Sequence, residues 1–220
     1  MGRLRAFYAS MVGKKVVMGV TGLIGIGFVI LHSLGNLLVF RGPEAINSYS
    51  HFLKSSGELL WTLRIVLIVA VVLHVIAAVE LTRQSRAARP IGYSRRESQV
   101  ATIASRTMRW GGALLLVFIV LHILHFTTGT IRPAGVFTRE DVYANVVASF
   151  RIWWVSLIYV VAMIALGLHL FHGAWSSVRS IGVSPPSPQP LNRKISGVIA
   201  ILVWAAFTAI PVAVFFGIAR

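Results

Sequence analysis

The sequence predicts an all-α fold, an integral membrane bundle of five transmembrane helices. Three features carry that expectation. Hydrophobic residues make up 56% of the chain against 12% charged, which is too little polar surface for a soluble domain. Five apolar runs are each long enough to cross a hydrocarbon core, which takes about 20 residues at ~1.5 Å rise per residue. Lys and Arg gather mostly at the ends of those runs. Inside lipid every backbone polar group must be satisfied within its own segment, so the runs are expected as helices and not as strands.

In chain order the first run falls near 16–40, directly after Lys14 and Lys15. It is too long for the core of a signal peptide and no cleavage-like site follows it, so it is expected to stay in the mature protein. The second lies near 60–82, the third near 108–128 and the fourth near 152–175. The segment Ser184-Pro185-Pro186-Ser187-Pro188-Gln189-Pro190 breaks any helix and reads as an extended linker. It leads into the fifth run, near 195–218. No domain boundary or internal repeat is evident, and residues 1–220 are expected to form a single transmembrane domain.

A net charge of +15 invites comparison with nucleic-acid binders, but those place basic residues on one solvated face. Here the basic residues flank apolar runs, where the positive-inside rule and snorkelling put them. One side carries Arg3, Arg5, Lys14, Lys15, Arg83, Arg86, Arg89, Arg95, Arg96, Arg106, Arg109, Arg179, Arg193 and Lys194, fourteen in all. The other carries Arg41, Lys54, Arg64, Arg132, Arg139, Arg151 and Arg220, or seven. The excess predicts an inside N-terminus and an outside C-terminus. The chain has no cysteine, which excludes disulfides, thiolate metal sites, iron–sulfur ligation and thiol nucleophiles together. Any redox chemistry must then use a bound cofactor.

The informative residues are the ionisable ones inside the spans, because polar groups at bilayer depth are expensive. Six of the seven histidines are there: His32 in the first helix, His74 in the second, His122 and His125 in the third, and His169 and His172 in the fourth. Rise per residue gives their depths. His32 lies ~24 Å from the inner end of its helix and His122 ~21 Å, forming an outer layer. The second and fourth helices run the other way, leaving His74 ~12 Å and His169 ~9 Å from the inner end. Four histidines on four helices thus make two pairs, roughly 10 Å apart along the membrane normal. Two stacked bis-imidazole sites suit two b-type haems, whose irons take an axial nitrogen from each face. Zinc suits the pattern less well, since a structural site wants four convergent ligands.

Short neighbours leave room for a flat ligand: Gly35 three residues after His32, and Ala78 and Gly173 four residues after His74 and His169. Close helix packing explains the same residues equally well. A histidine hydrogen-bonded to a neighbouring helix is the plain alternative at any single position. His125 and His172 stand three residues beyond His122 and His169, so spacing leaves either member of each pair open as the ligand. His51 is expected in a loop on the outer side, solvated or in contact with quinone.

Leu31-His32-Ser33-Leu34-Gly35-Asn36-Leu37, followed by Arg41-Gly42-Pro43-Glu44-Ala45-Ile46-Asn47-Ser48-Tyr49, resembles the single-chain cytochrome b membrane-anchor subunit of bacterial succinate dehydrogenase, the diheme b558 type. Val72-Leu73-His74, the stretch from Gly112 to His122, and His169-Leu170-Phe171-His172-Gly173-Ala174-Trp175-Ser176 are similar to that family's haem segments. The resemblance spans nearly the whole chain and joins a loop motif to four histidines in order. It implies that His122 and His169 are the ligands, with His32 paired to His122 at the outer haem and His74 to His169 at the inner haem. His125 and His172 are extras, placed to tune a haem or touch its edge.

The resemblance further implies an anchor in the bacterial cytoplasmic membrane that holds an FAD-containing flavoprotein and an iron–sulfur subunit. Electrons would pass through the two haems to or from quinone, with menaquinone expected, and a higher oligomer of the complex is compatible with it. Succinate chemistry is not expected in this chain, which has no dinucleotide-type glycine loop after a strand. Arg83, Arg86, Arg89, Arg95 and Arg96 form a basic patch suited to an acidic partner surface, and orientation alone explains them equally. Arg106 and Arg109 are candidates for the inner haem propionates, with snorkelling as the alternative. His51, Glu58 and Arg64 are the quinone candidates on the outer side, with ordinary interfacial charge as the alternative. Rival classes are a fumarate reductase anchor, a diheme anchor of a hydrogenase or formate dehydrogenase, a transmembrane ascorbate reductase, and a haem-free transporter with a histidine proton path.

Overall fold

A computed structural model describes residues 2–88, 102–183 and 191–219. Arg89, Arg95 and Arg96 of the expected patch, the linker 184–190 and Arg220 lie outside the described residues.

A short helix α1 (Gly2–Ala9) stops at Ser10, whose hydroxyl accepts the Gly13 N–H at 2.9 Å and caps α2 (Met11–Asn36). The apolar run goes on as a 3-10 turn, Leu37–Arg41, and ends at Gly42 with φ 95°, a backbone region that favours glycine. Pro43 then opens α3 (Pro43–Ser55), where its missing N–H would have had no helical partner. The long α4 (Gly57–Ala87) follows. Thr102 caps α5 (Ile103–His122) by accepting the Ser105 N–H, and a π turn, Ile123–Thr127, extends that helix. Next come α6 (Val142–Phe150), α7 (Trp153–Ser180) and α8 (Leu191–Phe215), the last with Pro211 inside it.

The five helices long and apolar enough to cross a membrane, α2, α4, α5, α7 and α8, appear in the order the sequence predicts. Their ends differ. Helix α4 continues to Ala87, α5 begins at Ile103 and α7 runs to Ser180, so each outlasts its apolar run on the basic side. Hydropathy measures the part that needs lipid, whereas Arg, Gln and Ala sustain helix in water as well. Helices α1, α3 and α6 were not expected, being too short to span. One correction follows: His51 stands on α3 and not in a loop.

The outward faces are apolar, with Leu31, Ile68, Val117 and Ile201 all exposed. Trp61 and Trp153 are exposed at one end of the bundle and Trp110 at the other, an arrangement like the aromatic belts of membrane proteins. Helix α2 packs on α4, α7 and α8, and α7 packs on α5 and α8. Among the described residues α2 does not pack closely on α5, nor α4 on α7. These two diagonals are bridged by histidines.

Helices α3 and α6 close the end of the bundle away from α1, the end expected to lie outside. The Asn47 amide donates to Asp141 at 3.0 Å and its oxygen accepts the Tyr143 N–H at 3.1 Å. Beneath them Val39, Ile46, Phe150, Val155, Tyr159 and Val214 form a buried cluster. At the other end the buried Lys14 ammonium lies 3.5 Å from the Glu80 carboxylate, tying α2 to α4.

Candidate functional site

The outer layer is built where the C-terminal third of α2 meets the end of α5. The rings of His32 and His122 lie with centroids 5.9 Å apart and planes at 81°. Phe28 stacks on His32 at 5.2 Å, Phe207 approaches it at 5.7 Å, and Phe118 and Phe126 flank His122. The Asn36 amide donates to the His32 carbonyl at 2.7 Å and lies 3.3 and 3.4 Å from the two ring nitrogens.

The inner layer joins the middle of α4 to the inner half of α7. His74 and His169 have centroids 6.2 Å apart and planes at 58°. His74 Nδ1 lies 3.2 Å from the Met18 carbonyl and 3.2 Å from the Thr21 hydroxyl. A carbonyl only accepts, so Nδ1 carries the proton and Nε2 keeps its lone pair for a ligand. His169 Nδ1 is buried without a hydrogen-bond partner. Glycines face both rings: a Cβ on Gly22 would stand 3.5 Å from His74 Cε1, and one on Gly112 would stand 3.6 Å from His169 Cε1.

In both pairs the ring separation matches that of two imidazoles on one metal. With metal–nitrogen bonds of about 2.0–2.1 Å, the two ring centroids would stand about 6 Å apart, close to what each layer shows. Among the described residues no three His, Cys, Asp or Glu side chains converge as a site for a bare metal ion. Each layer would thus give a metal two imidazole nitrogens from the described residues, which suits a cofactor that brings its remaining donors itself. The separation of α2 from α5 and of α4 from α7 leaves those diagonals free of close packing.

The remaining sequence candidates fall elsewhere. His125 is buried and both its ring nitrogens are taken, by the Tyr159 hydroxyl and by Ser149 Oγ, each at 2.9 Å. His172 packs edge-on to Trp175 at 5.5 Å, one turn from His169, and its Nδ1 is buried without a partner. Arg106 and Arg109 are exposed on the first two turns of α5, on the inner side of Gly112. His51 and Glu58 are exposed on α3 and α4, and the Arg64 guanidinium lies 5.1 Å above the Trp61 ring. No ion pair or hydrogen bond joins those three among the described residues.

One expectation is overturned. Gly35 does not open space for a ligand, since a Cβ there would meet the Tyr49 ring at 2.6 Å. It lets α3 approach α2. Sequence reading did not single out Tyr159, Ser149, Thr21 or the glycines Gly22 and Gly112 as site residues. Gly22 and Gly112 had a signal in being small residues inside spans, but Tyr159 and Ser149 lie on helices whose facing could not be read.

No family model and no solved structure matches the chain. It is similar to a protein of Bacillus subtilis (strain 168), the succinate dehydrogenase cytochrome b558 subunit. The two are 25% identical over 191 residues, covering 85% of this chain and 87% of that protein.

Proposed function

We propose that this chain is the diheme cytochrome b membrane anchor of a succinate:quinone oxidoreductase. One observation carries the reading. Four histidines from four membrane-spanning helices meet as two pairs in two layers, in a chain whose similarity to a succinate dehydrogenase cytochrome b558 subunit runs along most of both lengths. His32 and His122 would hold the outer haem b, and His74 and His169 the inner one. Bound there, the haems supply one-electron carriage across the bilayer, between an iron–sulfur subunit inside and quinone, menaquinone being the expected one.

The protein's own part is to hold, orient and exclude. Phe28, Phe118, Phe126 and Phe207 shield the outer imidazoles from water, while Thr21 and Met18 fix the tautomer of His74. The exposed Arg83, Arg86, Arg106, Arg109 and Arg179 give the inner surface a positive field suited to an acidic iron–sulfur subunit. Arg106 and Arg109 are in addition the proposed partners of the inner haem propionates. A flavoprotein subunit, docked through the iron–sulfur one, would carry the succinate chemistry. In this proposal the chain spans the bacterial cytoplasmic membrane with its N-terminus on the inner side and its C-terminus outside. Quinone would react at the outer end, where His51, Glu58 and Arg64 are the candidates for proton handling.

The test is haem quantitation and a reduced-minus-oxidised spectrum on the purified complex. Two haems b per chain are expected in the wild type. His32→Ala and His122→Ala each lose the outer haem, and His74→Ala and His169→Ala each lose the inner one. Normal haem content in all four variants would end the ligand assignment, and copurification with hydrogenase or formate dehydrogenase subunits would end the assignment to succinate oxidation.

A further inference from the structure

Four polar groups at the outer layer form a line that ligand binding alone does not explain. His122 Nδ1 lies 3.5 Å from the Tyr159 hydroxyl. The same hydroxyl is 2.9 Å from His125 Nδ1. His125 Nε2 is 2.9 Å from Ser149 Oγ. Tyr159, His125 and Ser149 are 6%, 3% and 5% exposed, so water does not complete these bonds. The line draws on α5, the π turn after it, α6 and α7.

Proton accounting gives the line a direction. A neutral imidazole has one N–H and one lone pair. If the Tyr159 hydroxyl donated to His122 Nδ1, then His122 Nε2 would carry the proton and could bind no metal. The opposite polarity leaves Nε2 free: His122 Nδ1–H donates to the Tyr159 oxygen, the Tyr159 O–H donates to His125 Nδ1, and His125 Nε2–H donates to Ser149 Oγ. Each of these three N–H and O–H donors then meets an acceptor, as buried polar groups require. None of the four groups changes charge.

We infer that Tyr159, His125 and Ser149 form a hydrogen-bond relay that fixes the tautomer of His122 and sets the electron-donating strength of that ligand. This rests on the diheme reading above. Tyr159 is a positioning residue: it acts on the cofactor through His122. A bond accepted from the distal N–H makes an axial imidazole a stronger donor, which favours the oxidised metal and lowers its potential. In a low-dielectric interior, links pointing the same way strengthen one another. The inner layer is built differently, with His74 bonded to the Met18 carbonyl and the Thr21 hydroxyl and, among the described residues, no histidine or tyrosine relay beyond them. The two haems are thus given different ligand environments by protein groups outside the coordination.

The test is a potentiometric titration of the purified complex, followed by optical and low-temperature EPR spectra. The His122→Ala variant identifies which signal belongs to the outer haem. Tyr159→Phe keeps the ring and removes the hydroxyl. It is expected to raise the midpoint of the outer haem and change its low-spin EPR signal, with the inner haem unmoved. Ser149→Ala removes the far end and is expected to shift the outer midpoint the same way by less. Two retained haems with unchanged potentials in Tyr159→Phe would overturn the relay, as would equal shifts of both. Should Tyr159→Phe lose the outer haem, Ser149→Ala decides, and an unmoved outer midpoint there overturns it. A wild-type complex without haem would overturn the proposed function itself, a result distinct from two haems indifferent to Tyr159.

Discussion

Gly112 shows how closely single residues are fitted around the inner pair. A Cβ there would touch His169 Cε1 at 3.6 Å, which is ordinary van der Waals contact. On the proposed diheme reading, Gly112→Ala should therefore keep both haems and gain slightly from helix propensity. Gly112→Leu drives a branched side chain against the imidazole, and overpacking of this kind costs about 1–3 kcal/mol. The expected outcome is loss of the inner haem with the outer one retained, read as one haem per chain in the pyridine haemochrome spectrum. Two intact haems in the leucine variant would show that the slot beside His169 is wider than the structure has it. Residues of this kind were partly legible. Helix rise predicts two layers, one shared by the first and third spans and one by the second and fourth, because depth depends on the backbone and not on side-chain facing. The choice of His122 over His125 and of His169 over His172 comes from the resemblance. Gly35 misled because a small residue marks close approach without saying what approaches, and here it is Tyr49. His125 gave no sign of its partners because both come from other elements, Ser149 on α6 and Tyr159 on α7.

Among the elements, the α3 and α6 pair was the least legible, since neither is long enough to register as a span. Above the apolar cluster to which both contribute, polar bonds join the pair. Asp141 caps α6 by accepting the Ala144 N–H at 2.9 Å and also accepts from Asn47 at 3.0 Å. The Ala144 N–H and the Asn47 amide hold its carboxyl below the ordinary value of 3.8. A carboxylate lowered in this way stabilises the fold above its unfolded pKa, and the contribution fades as pH falls below 3.8. Asp141→Ala removes the cap and should cost about 1 kcal/mol, seen as a lower Tm for the detergent-solubilised protein near neutral pH. Asp141→Asn keeps a capping oxygen without the titrating charge and should lose less. The gap between wild type and Asp141→Ala should narrow as pH falls through the carboxylate range. A gap that is constant with pH would mean the cap works without its charge.

Across the whole molecule the long helices are held unequally, and the proposed haems would even this out. Helix α7 touches α2, α5, α6 and α8 and buries eight of its residues, whereas α4 rests on α2 and α3 and buries Ala70 and Ala77. Yet α4 supplies His74, which faces His169 of α7 across a diagonal with no close packing of its own. A group gripped by both imidazoles would tie α4 to the centre of the bundle. Anything that binds the folded arrangement and not the loosened one stabilises it by mass action. The absence of cysteine makes the consequence easy to read. Ala77, fully buried on α4, and Ala162, 2% exposed on α7, can each be replaced by the only cysteine in the chain. In protein made without haem, maleimide should label Ala77→Cys faster than Ala162→Cys. Loading with haem should slow the α4 position and leave the α7 position nearly unchanged. Equal labelling at both positions in the haem-free protein would show that α2 and α3 hold α4 unaided.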